Sequence, residues 1–160
     1  MRWREILFTA FYTGYIPLLP GTAGTLLALI IYVLEFLLFG KICWLINLVI
    51  VLVMLYPAIR LGDSGEKFFG EKDSPKIVLD EVMGYWISVL FYPFSWQIAI
   101  LAFLIFRVLD IIKPYPARKL QDLHGGLGVM IDDYIAGIYT NLIILIIILL
   151  SLVFDFSIFY

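Results

Sequence analysis

After Asp133 the chain carries no charged residue as far as Phe154, and as helix that run is about 32 Å long at roughly 1.5 Å per residue. It matches the roughly 30 Å hydrocarbon core of a bilayer. Leu26 to Phe39, Ile42 to Leu61, Ile77 to Pro93 and Trp96 to Ile112 are also predominantly apolar, with one or two charged residues each. In hydrocarbon the backbone must satisfy its own polar groups, so runs of this kind are restricted to helices. Composition agrees: 63% of the 160 residues are hydrophobic and 15% charged, against roughly 45–50% and about 25% in soluble domains. The expected fold is all-α, a polytopic membrane bundle of about five spanning helices plus short interfacial helices, forming one domain over residues 1–160.

Taken in order, residues 3–12 predict a short helix ended by Gly14 and Pro17. Its basic start resembles a signal peptide, but Glu5 and the lack of a small-residue cleavage site favour mature sequence. Pro20 and Gly21 oppose helix, so the first span is expected from Thr22 to Phe39, with Thr22 or Thr25 as its cap. Gly40 and Lys41 make an outer turn before a second span, Ile42 to Leu61, with Trp44 and Tyr56 as interfacial aromatics. GDSGEKFFGEKDSPK reads as a polar loop or interfacial helix. The third and fourth spans, Ile77 to Pro93 and Trp96 to Ile112, are antiparallel neighbours, and the fifth runs from Leu127 to Phe154.

Arg2, Arg4, Arg60, Lys67, Lys72, Lys76, Lys113, Arg118 and Lys119 fall on one side of this topology and only Lys41 on the other. Basic loops stay cytoplasmic, which puts the N-terminus inside and the C-terminus outside. The acidic residues gather on the same side except Glu35, expected near the outer interface, and Asp155. With a net charge of -2 and no basic block, nucleic acid is not an expected partner. The single cysteine, Cys43, excludes an intramolecular disulfide and a Cys-rich zinc site.

Charge is concentrated from Phe106 to Gly137, between two apolar segments, where it is expensive unless it lines a site. Asp132 and Asp133 fall at the cytoplasmic boundary, either as a solvated helix start favoured by the dipole or as a pair held by a cation. Asp80 and Glu81 start a short span and lie slightly below the headgroups. Gly84 and Gly137, one turn after Asp80 and Asp133, would let the third and fifth helices approach and bring these carboxylates together. Arg107 and Asp110 share a helix face, as an internal ion pair or as a phosphate-binding guanidinium beside a metal ligand. Lys113 could add a second positive charge. Oxygen ligands of this kind suit Mg2+ or Mn2+ rather than zinc. Gly125 and Gly126, like Gly21 to Thr25, precede helix starts that could receive a phosphate or simply form turns. His124 reads as a polar loop residue.

Three blocks, GYIPLLPGTAGT (14–25), IVLDEVMG (77–84) and FRVLDIIKPYP with GGLGVMIDDYIAG (106–137), resemble bacterial phosphatidylglycerophosphatase A in order and spacing. The resemblance implies a small helical membrane phosphatase that uses Mg2+ to remove the terminal phosphate of phosphatidylglycerophosphate. It implies that Asp80, Glu81, Asp110, Asp132 and Asp133 are its acidic positions, Arg107 and Lys113 its basic ones, and Thr22 and Thr25 its polar N-terminal loop. The family carries a proline directly after an aspartate where this chain reads Asp73, Ser74, Pro75, and Asp63 lies in the same less regular segment.

The function expected is a Mg2+-dependent phosphomonoesterase acting on a phospholipid of the inner leaflet of the cytoplasmic membrane. Asp80, Glu81, Asp110, Asp132 and Asp133 would hold the metal, with Asp80, Asp132, Asp133, Arg107 and Lys113 as the catalytic set. Arg107, Lys113, Thr22, Thr25, Gly125 and Gly126 would bind substrate. One histidine is too few for a histidine-dependent lipid phosphatase, and the long aspartate pattern of a CDP-alcohol phosphotransferase is missing. A small cation transporter would need polar groups across the whole membrane.

Overall fold

The structure is a computed structural model and describes residues 2–154. Asp155 lies outside the described residues. Among them the chain forms seven α-helices and no strand: α1 Arg2–Phe8, α2 Pro20–Phe39, α3 Cys43–Phe69, α4 Leu79–Ser88, α5 Trp96–Ile112, α6 Ala117–Leu120 and α7 Gly126–Val153. Two stretches, Pro20–Phe69 and Gly126–Val153, are long and apolar enough to cross a membrane. The first folds back on itself at Gly40, where φ is 58°.

Several expected boundaries move, each for a local reason. α1 ends at Phe8 rather than near residue 12, because Ala10, Phe11 and Tyr12 take positive φ. α2 starts at Pro20, not Thr22: at the first helical position proline gives up an N–H that has no partner there anyway. Thr25 is therefore inside the helix, where its hydroxyl donates to the Gly21 carbonyl at 2.9 Å. α3 continues past Leu61 into the stretch expected to be a polar loop or interfacial helix, takes up its first half as far as Phe69, and is closed by Gly70, whose N–H reaches the Glu66 carbonyl at 2.8 Å. Gly62 and Gly65 do not break it, because they are packing positions. A Cβ on Gly62 would stand 3.1 Å from Gly126 Cα, and one on Gly65 would stand 2.8 Å from Ile77 Cδ1.

The largest correction concerns the third span. Ile77 to Pro93 is not one helix: α4 covers ten residues, about 15 Å at 1.5 Å per residue, roughly half a bilayer core. Nine of those ten residues are buried, and α2, α3, α5 and α7 surround the helix. Its last carbonyls are freed inside an apolar bundle and are taken up by side chains of neighbouring long helices. Asn141 Nδ2 of α7 donates to the carbonyls of Ile87, Ser88 and Leu90 at 3.3, 3.2 and 2.8 Å, and Asn47 Nδ2 of α3 to that of Trp86 at 3.1 Å. Irregular backbone at such depth is tolerated only where protein covers it and satisfies it. Asn141→Leu should therefore lower unfolding stability by about 1–2 kcal/mol, read as a shift in denaturation midpoint in detergent.

The outer faces of the long helices are inverted relative to a soluble protein. Leu26, Ile30, Leu34 and Leu37 on α2, and Ile100, Leu104, Val108 and Ile111 on α5, are all exposed and recur at helical spacing. Continuous apolar stripes of this extent need an apolar environment. The opposite face of α2, with Gly21, Gly24, Ala28, Tyr32 and Glu35, is buried. Glu35 thus points inward and is 6% exposed, instead of reaching the interface. It lies on the same helical face as Ala28 and Tyr32, so the 3.6-residue period carries it into the bundle.

Candidate active site

Where α4 crosses α7 the two backbones nearly touch. A Cβ on Gly137 would overlap the Gly84 carbonyl oxygen, and one on Gly84 would stand 2.5 Å from the Phe106 ring and 2.8 Å from the Asp133 carbonyl. Glycine at both positions permits the crossing that its sequence position suggested. One turn back on each helix are Asp80 with Glu81, and Asp133. Each of these three offers a carboxylate oxygen, and the three oxygens lie within 4.8 Å of one another. Asp80 is 7% and Asp133 2% exposed.

This group opens into a cleft of about 280 Å3 whose walls carry six carboxylates, Asp73, Asp80, Glu81, Asp110, Asp132 and Asp133, and one ammonium, Lys113. Lys113 ends α5 in a left-handed conformation (φ 48°), which turns the chain, and its Nζ meets Asp132 Oδ2 at 2.5 Å. Burial by itself would lower the Lys113 pKa. The hydrogen bond and charge of Asp132, followed by Asp133 and Asp73, outweigh it and hold the ammonium above the usual lysine value. Lys113 is therefore a fixed positive charge rather than a proton acceptor at neutral pH.

Arg107 stands behind the cleft. Its Nη1 pairs with Asp110 Oδ2 at 2.8 Å and donates to Thr25 Oγ1 at 3.3 Å. Of the two readings of Arg107 and Asp110, the internal ion pair is present. Gly21 gives Glu81 and Arg107 their room: a Cβ there would overlap Glu81 Oε1 and stand 3.1 Å from Arg107 Nη2. Thr25 reaches the site through Arg107, whereas Thr22 is half-buried and does not line the cleft. Gly125 and Gly126 are not at the cleft either. The Gly126 N–H donates to Asp63 Oδ1 at 2.5 Å, and a Cβ on Gly126 would overlap the Ile59 carbonyl. The start of α7 is thus capped by a carboxylate and packed on α3, apart from the carboxylate cleft. Asp73, outside the family pattern, does line the cleft, with φ 49° and its N–H on Glu66 Oε1 at 3.0 Å. His124 lies outside the cleft.

The donor set fits a hard divalent cation. One oxygen each of Asp80, Glu81, Asp132 and Asp133 is buried without a hydrogen-bond partner. Unpaired buried carboxylates are strongly unfavourable unless a counterion or metal neutralises them. Oxygen-only ligands select Mg2+, Mn2+ or Ca2+ over zinc.

The sequence profile of the family described as Phosphatidylglycerophosphatase A matches residues 6–148. The chain belongs to this family. Among curated relatives, a Bacteroides thetaiotaomicron protein that carries the provisional name phosphatidylinositol-3-phosphatase is 40% identical over 145 residues, covering 87% of this chain and 89% of that protein. Phosphatidylglycerophosphatase A of Escherichia coli is 36% identical over 137 residues (84% and 77%). The Haemophilus influenzae protein of that name is 35% identical over 150 residues (88% and 85%). No solved structure matches the chain. The three sequence blocks that resembled the family lie within the matched residues, so membership rests on nearly the whole length rather than on isolated motifs.

Proposed function

We propose that the protein is a Mg2+-dependent phospholipid phosphatase that hydrolyses the terminal phosphomonoester of phosphatidylglycerophosphate, giving phosphatidylglycerol and inorganic phosphate. The observation that carries the reading is the convergence of Asp80, Glu81 and Asp133, with unpartnered buried oxygens, beside the fixed cation Lys113 in a chain of this family. Asp80, Glu81 and Asp133, with Asp132 and Asp110 at the margin, would hold Mg2+. Bound there, the ion would supply electrostatic stabilisation of the transferring phosphoryl group. Lys113 offers positive charge to the non-bridging phosphate oxygens while keeping Asp132 oriented. Arg107 holds Asp110 in place from behind and contributes to the positive potential without facing the cleft. Water replaces the lipid alcohol at phosphorus, and the alcohol leaves with a proton.

We read the molecule as crossing the cytoplasmic membrane five times, the third time as α4 followed by the non-helical stretch 89–95. Lys67, Lys72, Lys76 and Lys113 are at the cleft end of the bundle, while Lys41 shares the other end with Trp44 and Phe94. The positive-inside tendency then puts the cleft at the cytoplasmic leaflet.

A second substrate has a specific observation in its favour: the relative at 40% identity is provisionally named for phosphatidylinositol 3-phosphate. A phosphate-release assay on both lipids, with and without Mg2+, decides between them. Release from phosphatidylglycerophosphate that is faster by at least tenfold and lost in EDTA is expected. Preference for the inositol lipid would reassign the substrate, and no release from either would remove the phosphatase reading.

A further inference from the structure

A groove of about 520 Å3 opens between α1 and the second half of α3, and it shares no lining residue with the carboxylate cleft. Its apolar lining is made of Leu7 and Phe8 from α1 and Met54, Pro57, Leu61 and Phe68 from α3. Its polar side carries three cations, Arg4, Arg60 and Lys67. Along α3 the lining changes from wholly apolar, at Met54 and Pro57, to a mixed stretch that carries the charges, Arg60, Asp63 and Lys67 with Leu61, Ser64 and Phe68 among them, over roughly 20 Å, the rise from Met54 to Lys67. That gradient follows the amphipathic profile of a membrane lipid, acyl chain first and headgroup last.

The cations are uncommitted. Among the described residues Arg60 and Lys67 make no ion pair, and Arg4 lies only over the Trp3 ring, 5.2 Å from its centroid. The acid in the groove, Asp63, is turned to the Gly126 N–H. A net positive rim on an apolar trough at a bilayer boundary complements a phosphate carried on an acyl chain, and neither a free anion nor a neutral lipid uses both halves.

We infer that this groove binds one anionic phospholipid of the surrounding bilayer, as a second lipid site separate from the hydrolytic one. The phosphate sits among Arg4, Arg60 and Lys67, and an acyl chain lies along Leu7, Met54 and Pro57. Trp3 lines the groove and serves as a reporter. The test uses the full chain in detergent, titrated with phosphatidylglycerol or phosphatidylcholine brominated on the acyl chains. Phosphatidylglycerol should quench tryptophan fluorescence at far lower concentration than phosphatidylcholine, and the difference should vanish in Trp3→Phe. In the double variant Arg60→Gln, Lys67→Gln the affinity should fall about 25-fold, at roughly fivefold per cation. Phosphate release by the double variant should stay at the wild-type rate, which keeps this test independent of the catalytic assignment. Equal quenching by both lipids, an undiminished signal in the double variant, or phosphate release that falls together with quenching would each overturn the inference.

Discussion

Asp133→Asn protein should release phosphate from phosphatidylglycerophosphate at least ~1,000-fold more slowly than wild type, the loss expected when several kcal/mol of electrostatic stabilisation disappear from a phosphoryl-transfer site. Asp133 is 2% exposed, lies in the three-carboxylate group and has an oxygen without a partner. A catalytic and a structural role predict opposite stabilities. If Asp133 served the fold, its neutral analogue would be less stable. If it is maintained for a bound cation, then in EDTA it is an uncompensated buried charge, and Asp133→Asn should unfold at the same or a higher denaturant concentration than wild type. Turnover near wild type, or marked destabilisation in EDTA, would remove Asp133 from the centre of the site.

Gly137→Leu should abolish activity by geometry alone. The new Cβ meets the Gly84 carbonyl and stands 3.1 Å from Ile87 Cβ, and because the first obstacle is backbone, only movement of a whole helix relieves it. Overpacking of this kind costs about 1–3 kcal/mol or more. Separating α4 from α7 also pulls Asp80 and Glu81 away from Asp133. Gly137→Ala should show a milder form of both losses, and the measurement is phosphate release alongside the thermal midpoint. A Gly137→Leu protein with normal turnover would mean that the crossing does not set the carboxylate spacing.

Much of the site was legible because membrane depth makes charge informative. Asp80, Glu81, Asp110, Lys113, Asp132 and Asp133 stand out in an apolar chain, and Gly84 and Gly137 at one-turn offsets already linked two helices. Asp73 had no such signal, since in a polar segment one more acid is unremarkable and only the fold of 73–77 against α5 and α7 brings it to the cleft. Asn47 and Asn141 were missed for a related reason. A lone amide in an apolar run gives no hint of what it faces, and their partners are carbonyls freed by a helix ending that sequence periodicity had carried on to Pro93.

By itself the sequence determined that this chain is helical, that long stretches of it seek hydrocarbon, and that a set of acids and bases belongs at one end of those helices. Periodicity, length and the cost of stranded charge are local or one-dimensional properties, readable without contacts. The tertiary structure decided which glycines are contacts and which are turns, that Arg107 supports Asp110 from behind while Lys113 faces the cleft, and that Gly126 is capped by Asp63. Each depends on groups far apart in the chain, and a pairing between distant residues leaves no periodic trace. α4 shows the division most clearly: its ten residues stop in mid-bundle because two asparagines from other helices satisfy the backbone that continuing helix would otherwise have satisfied.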